Sequence, residues 1–315
     1  MKLSQLGEFG LIEILKKLQH KRKETIVGIG DDCAVIKSSS TKYLLITTDS
    51  MIENVHFKLK NISFFDLGYR ALFINISDIA SMGGTPTHAL VTIGVPKNTK
   101  VDSITQFYKG LNALAKKLKI DVVGGDTIAS PKEFVISITL LGEVEKKNLI
   151  TRRGAKVGDL ILTTGDFGGP ASIKYQITNA SHRSASARGG KLQMRLKEAR
   201  VIAKSKLATS LIDSSDGLIR SVLEVCKSSK VGALIYENEV PIARGATLNQ
   251  ALYGGEEYEL VFTAPVTSIQ RLRKLLGKIK VTIVGEMRPQ RKGLKLLDIY
   301  GKIKKPKSGG YEHFK

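Results

Sequence analysis

Residues 28–36 read GIGDDCAVI: an apolar stretch tipped by two glycines, then two adjacent aspartates, then apolar residues again. The chain of 315 residues carries 50 Lys and Arg against 29 Asp and Glu, a formal net charge of +21, so acidic residues are the scarce kind and their clustering carries information. Short apolar runs bounded by turn residues read as strands, and ETIVGIG (24–30) and YLLITTD (43–49) are of that kind, the second ending on Asp49. FFDLGYRALFINISDIASM (64–82) is too long for a strand. Its Leu72, Ile76 and Ile79 fall at helical spacing, which predicts a helix running up to Gly83-Gly84. ALVTIGVP (89–96) follows as a strand, SITQFYKGLNALAKKLK (103–119) as an amphipathic helix, DVVGGD (121–126) as a strand end and FVISITLLGEV (134–144) as a strand.

The charged connection VEKKNLITRRGAK (144–156) interrupts this pattern and divides the chain into expected domains 1–148 and 149–315. Beyond it come DLILTTG (159–165), a glycine-rich turn GDFGGPAS (165–172) and a helix. NASHRSASARGGK (179–191) is small, polar and basic, and is expected to be a mobile loop. LQMRLKEARVIAK (192–204) is a helix, and LIDSSDGLIRSVLEVCKSS (211–229) a turn and helix. GALIYE, YELVFTAP and VTIVGEM are strands around a basic helix, and a short hairpin closes the chain. Both halves mix strands and helices, so the fold class is a mixed α+β arrangement in two domains.

Composition, with 42% hydrophobic and 25% charged residues, is that of a soluble globular chain. Leu11, Ile14, Leu15 and Leu18 lie at helical spacing among lysines, an amphipathic helix and not a secretory signal, and no apolar run is long enough to span a bilayer. Cys33 and Cys226 are far apart, with no C-x-x-C pattern, which argues against a thiolate zinc site and for a reduced, cytoplasmic setting. The basic excess is densest in RLRKLLGKIK (271–280) and again over 288–307. It fits either nucleic-acid or membrane-surface binding, or an enzyme whose field draws in anionic substrates. Aromatic residues are only 6% with no Trp, poor material for base stacking.

Aspartates recur at the ends of the apolar elements: Asp31 and Asp32, Asp49, Asp126, Asp213 and Asp216, with Asp78 on the helix before Gly83. Strand ends at one edge of a sheet are where α/β proteins place ligands. Two bare carboxylates about 4 Å apart repel by roughly 4 kcal/mol at an effective dielectric near 20, so several in one cleft need a cation, and such hard oxygen ligands suit Mg²⁺ with substrate phosphates. An Asp after a strand also forms turns or caps helices, as Asp213-Ser-Ser-Asp216-Gly does credibly. No G-x-x-x-x-G-K-[ST] loop, complete dinucleotide fingerprint or G-x-S-x-G elbow occurs.

GIGDDCAVI (28–36), TTDSMIENVHF (47–57), NISDIASMGGTP (75–86), VGGDT (123–127), TRRGAKVGD (151–159), DSSDGL (213–218), GGEEYELVFT (254–263) and GYEHF (310–314) together resemble the thiamine-monophosphate kinases of the aminoimidazole ribonucleotide synthetase superfamily. The blocks are collinear and span nearly the whole chain. Single blocks are shared with selenophosphate synthetase and the hydrogenase-maturation dehydratase, but NVHF, GGEEYEL and GYEHF favour the kinases. The resemblance implies ATP-dependent phosphorylation of thiamine monophosphate to thiamine diphosphate by in-line transfer, with several Mg²⁺ ions. It implies a homodimer whose N-terminal domains share a barrel, an ATP- and Mg²⁺-binding role for that domain, and a C-terminal α/β sandwich.

Carried over by position, Asp32, Thr47, Thr48, Asp49, Asp78, Asp126, Asp213 and Asp216 are metal ligands, with Asp49, Asp126 and Asp213 the catalytic set. Thr47, Thr48, Tyr108, Gly125, Arg152 and Ser215 are ATP contacts, and His56, Glu256 and Phe314 receive thiamine monophosphate. SHRSASARGGKLQMRL (181–196) departs from the family's usual Pro- and Arg-containing segment, and TGDFGGP (164–170) from its usual turn. The alternatives are another ATP-using superfamily member acting on a different acceptor, and a basic nucleic-acid-binding protein on this fold. The chain lacks the N-terminal Cys expected for selenophosphate synthesis and the C-terminal Cys expected for the hydrogenase-maturation role.

Overall fold

The computed structural model describes residues 2–172, 193–307 and 309–314; the expected loop 179–191 lies outside them. The first half comprises α1 (Leu3–Leu18), β1 (Thr25–Val27), β2 (Ala34–Lys37), β3 (Lys42–Ile52), α2 (Phe64–Ser81), β4 (Thr85–Pro96), α3 (Val101–Leu118), β5 (Asp121–Ser130) and β6 (Val135–Glu145). Its six strands form one sheet in the order β1-β2-β3-β6-β4-β5, antiparallel except for the β4–β5 pair. Strict alternation in β6 buries Ile136, Ile138, Leu140 and Val144 beneath α2 and α3, as a one-sided sheet requires. β5 is exposed along nearly its whole length, at the sheet's edge.

The second half comprises β7 (Leu160–Thr164), the short α4 (Gly169–Ser172), α5 (Leu196–Ser205), β8 (Ser210–Asp213), α6 (Leu218–Ser229), β9 (Gly232–Tyr236), α7 (Leu248–Tyr253), β10 (Leu260–Ala264), α8 (Ile269–Leu276), β11 (Val281–Arg288), β12 (Leu294–Leu297) and β13 (Ile303–Lys304). Its seven-stranded sheet has the order β13-β12-β9-β11-β7-β10-β8, with only β12–β9 parallel. Apolar clusters lie on both faces of this sheet, one with α6 and α7 and one with α5 and α8. α2 joins the halves: Phe73 meets Tyr258 edge to face at 5.5 Å, and Arg70 pairs with Glu256.

Several expectations are corrected. Asp49 and Asp126 are not at strand ends, because β3 runs on to Ile52 and β5 to Ser130, each held by a continuous ladder to its neighbour. The first apolar run yields only a three-residue β1, and the helix expected from residue 192 begins at Leu196. α1 forms, but it bends at Gly7 (φ 73°), and its Ile14, Leu15 and Leu18 stay exposed. Among the described residues, no helix is long and apolar enough to cross a membrane.

Candidate active site

The β1–β2 turn, the inner face of β3, the buried side of α2 and the C-terminal end of β8 meet at one point. Carboxylate oxygens of Asp32, Asp78 and Asp213 lie there within 4.8 Å of one another. Asp32 arrives from the turn, Asp78 from the last turns of α2, and Asp213 as the last residue of β8. Period-2 alternation along β3 sends Thr47 and Asp49 inward, and Thr47 donates its hydroxyl to Asp78 at 2.6 Å. The Asp49 N–H is held by Asn75 Oδ1 at 3.0 Å, and Ser77 donates to Asp213.

Arg152 is the cation packed against this group. Its Nε and Nη2 both donate to Asp32 Oδ1, the first at 3.0 Å, and its backbone N–H lies 3.2 Å from Asp31 Oδ2. Burial opposes the guanidinium charge, but Asp32 and Asp31 outweigh it and raise the Arg152 pKa. Among the described residues, this one guanidinium does not balance so many carboxylates. Burial, then the Asp32 charge, pushes Asp31 up to about 7, and the same causes push Asp49 up to about 6. Asp213 is pushed up to about 8 by burial and Asp32, against the pull of the Ser77 bond, and Asp78 is raised by burial, Asp49 and Asp213. Asp32 Oδ2 is buried, with no hydrogen-bond partner among the described residues. A buried acceptor without a donor, facing two more carboxylates, is a donor set made for a hard divalent cation.

Asp216 lies three residues beyond Asp213, ahead of α6, pushed up to about 6 by burial and by Glu8 of α1. From it the chain's end returns across the site: the Tyr311 N–H donates to the Asp216 carbonyl at 3.2 Å, and the His313 N–H to Glu8 at 3.1 Å. His313 brings its ring to 5.2 Å from His56, and Phe314 lies 6.2 Å beyond His313. The His56 ring is fixed by the Ile52 N–H, which donates to Nδ1 at 3.0 Å, and burial and His313 lower its pKa. His56, Phe314 and the Arg70–Glu256 pair thus form a second cluster that continues from the acidic one through Asp216 and the C-terminal strap.

Other expected residues stand apart. Thr48 faces the uncovered side of β3, accepting from Thr139 at 3.3 Å. Asp126 is exposed and pairs in register with Thr92, in the row that runs through Ser137 to Ser50 on that same uncovered face. Gly125 is where β5 crosses β4 too closely for a side chain, since a Cβ would stand 1.8 Å from the Val91 carbonyl oxygen. Tyr108 lies on α3, half-buried against Phe107, and Ser215 is exposed, its carbonyl accepting from the Glu256 N–H at 2.6 Å. Sequence reasoning missed Arg70, Asn75, Ser77, Glu8 and His313. Ser77 and Asn75 stood beside Asp78 in the quoted NISD block and His313 in GYEHF, so adjacency was their only signal.

Comparison with known proteins agrees over the whole chain. Residues 30–144 match the family model of the AIR synthase related protein, N-terminal domain, and 156–295 that of its C-terminal domain. The thiamine-monophosphate kinase of Buchnera aphidicola subsp. Schizaphis graminum is 36% identical, covering 98% of this chain and 99% of its own. That of Bacillus subtilis is 32% identical, covering 98% and 100%. The solved structure of AaThiL complexed with AMPPCP and TMP superposes with a TM-score of 0.82 at 29% identity, covering 99% of each chain.

Proposed function

The chain belongs to the thiamine-monophosphate kinase family of AIR synthase related proteins, and from that membership and the site's chemistry we propose that it transfers the γ-phosphoryl group of ATP to thiamine monophosphate, forming thiamine diphosphate and ADP. The observation that carries this reading is the buried group of Asp32, Asp78 and Asp213, which among the described residues has an unpartnered carboxylate oxygen and too little positive charge to balance it.

Asp32, Asp78 and Asp213 would hold Mg²⁺, with Asp49, Thr47 and Asp216 at the margin of the group. Bound there, Mg²⁺ would offset the repulsion between two anionic reactants and the charge that develops between them. The chain's own residues do the positioning. Ser77 and Thr47 fix the Asp213 and Asp78 carboxylates by donating to them, and Arg152 holds Asp32 in place while offering its remaining N–H groups to a phosphate. The attacking oxygen belongs to a phosphate already ionised near neutral pH, so alignment is needed and a strong general base is not. His56, Glu256 and Phe314 form the acceptor end, Glu256 oriented by Arg70 to face the cationic ring of thiamine.

The assignment of Tyr108, Gly125 and Ser215 to ATP, and of Asp126 and Thr48 to the metals, rests on the resemblance. The domain roles follow the same division: 1–148 for ATP, metal and dimer formation, 149–315 for the α/β sandwich that closes the site with Asp213 and Arg152. A second copy is assigned to the uncovered face of the six-stranded sheet, where Leu90, Val123 and Ile128 are exposed beside an edge strand that a monomer leaves unpaired.

The test is a coupled ADP-release assay with Mg²⁺-ATP and thiamine monophosphate, the product being separated by chromatography. Thiamine diphosphate is the expected product. ATP binding without it would move the acceptor elsewhere in the superfamily.

A further inference from the structure

The basic run after residue 288 is not absorbed by the activity above. Part of it builds an open groove between α6, the turn before β12 and the chain past β13, with a volume of about 550 Å³, within the size range of small-molecule sites. The floor includes Leu223 and Pro306, and the rim carries Arg291, Lys292, Lys295 and Lys305. Among the described residues, no carboxylate lines the groove. Two neighbouring cations outside the groove are paired, Arg288 with Glu286 and Lys304 with Glu237, the latter at 2.9 Å, while Lys302 and Lys307 lie outside it without an ion pair among the described residues. Among the described residues, the rim cations have no ion pair. Like charges gathered at one concavity raise the local potential and attract an anion.

We propose that this groove is a second ligand site, for a di- or triphosphate carried on a flat apolar ring, with the phosphates on the rim cations and the ring over Leu223 and Pro306. A compact ligand fits a groove of about 550 Å³ better than a polynucleotide, which needs a charged track along several nucleotides. Gly309 closes one end against Arg220, and from there the strap runs on to Tyr311 and His313. A ligand in the groove therefore lies against the segment that leads to the acceptor end; this consequence, unlike the site itself, rests on the acceptor reading above.

Calorimetric titration of the full-length protein in EDTA at low ionic strength separates the two sites, since the carboxylate cluster cannot hold phosphates without a cation. Inorganic tripolyphosphate and ATP are each expected to bind at one saturable site per chain, ATP several-fold more tightly. The paired change Lys292→Glu and Lys305→Glu should weaken both at least tenfold and leave turnover with Mg²⁺-ATP and thiamine monophosphate in place. The paired change Lys274→Glu and Lys278→Glu, equally basic but outside the groove, should leave binding unchanged. Hydrogen exchange should slow at residues 290–295 when tripolyphosphate is added. No saturable binding in EDTA, equal weakening by both variant pairs, or no protection at 290–295 would overturn the site. ATP binding no tighter than tripolyphosphate, or displacement of ATP by a short oligonucleotide of higher affinity, would overturn the ring-bearing ligand.

Discussion

Glu257 shows how the neighbours of the site store charge. It is 4% exposed, accepts from the Gly168 N–H at 2.9 Å and from the Ser214 hydroxyl at 3.3 Å, and burial pushes it up to about 7. An acid whose native pKa is raised from 4.5 binds its proton more tightly when folded. Its contribution to stability is therefore full below the unfolded value and is lost as pH climbs through about 7. Glu257→Gln keeps an acceptor for Gly168 and removes the titration. With Mg²⁺ saturating, so that the aspartates stay charged, the variant should gain on the order of 1–3 kcal/mol near pH 8. The drop in melting temperature from about pH 5 to pH 8 should shrink by a few degrees. An unchanged drop would assign the proton to another group. At this scale the aspartates were legible because acids are rare in the chain and fall in short distinctive blocks, although Asp49, Asp126 and Asp78 lie inside their elements and not beside turns. Ser77 and Arg70 were not, because their partners Asp213 and Glu256 lie 136 and 186 residues away, beyond any local pattern.

α2 supplies Asn75, Ser77 and Asp78 to the acidic group and Arg70 to the proposed acceptor end, so its placement sets the site's geometry. That placement depends on α3. A Cβ at Gly68 would stand 1.9 Å from the Phe107 carbonyl oxygen, and one at Gly110 would stand 1.8 Å from that of Phe65. The two helices therefore touch backbone to backbone at reciprocal glycines. Gly110→Ala must push them apart, at a cost of about 1–3 kcal/mol or somewhat more for overpacking. Urea unfolding should show an earlier midpoint with the same slope, and a wild-type midpoint would mean that the contact yields without strain. The helix itself was legible from its apolar spacing, as were the alternating strands. β5 was read only as a strand end because its Gly124-Gly125 pair is poor strand material and its exposed faces carry no alternation. The short β1 was overestimated because an apolar run alone does not say where the ladder stops.

The whole molecule joins two sheets around one buried acidic group and leaves one sheet face bare. If a second copy covers that face, Val123→Lys or Ile128→Lys should shift the protein from dimer to monomer in sedimentation at micromolar concentration, and an unchanged sedimentation coefficient would remove the face from the interface. Membership of the family was legible because its motifs are collinear over the chain. The assembly of the site was less so: the sequence placed Asp126 among the cluster's acids, whereas the fold of one chain sets it on the opposite face from Asp49. In the proposed reaction the γ-phosphoryl group passes to the acceptor's phosphate at the acidic cluster. The measurement that meets it most directly follows ATP labelled in the γ-phosphate, with thiamine monophosphate, in wild type and in Asp49→Asn. Label is expected in the terminal phosphate of thiamine diphosphate for wild type, and its loss is expected in a variant that remains folded. Label found only in inorganic phosphate, or the labelled product formed by Asp49→Asn at the wild-type rate, would contradict it.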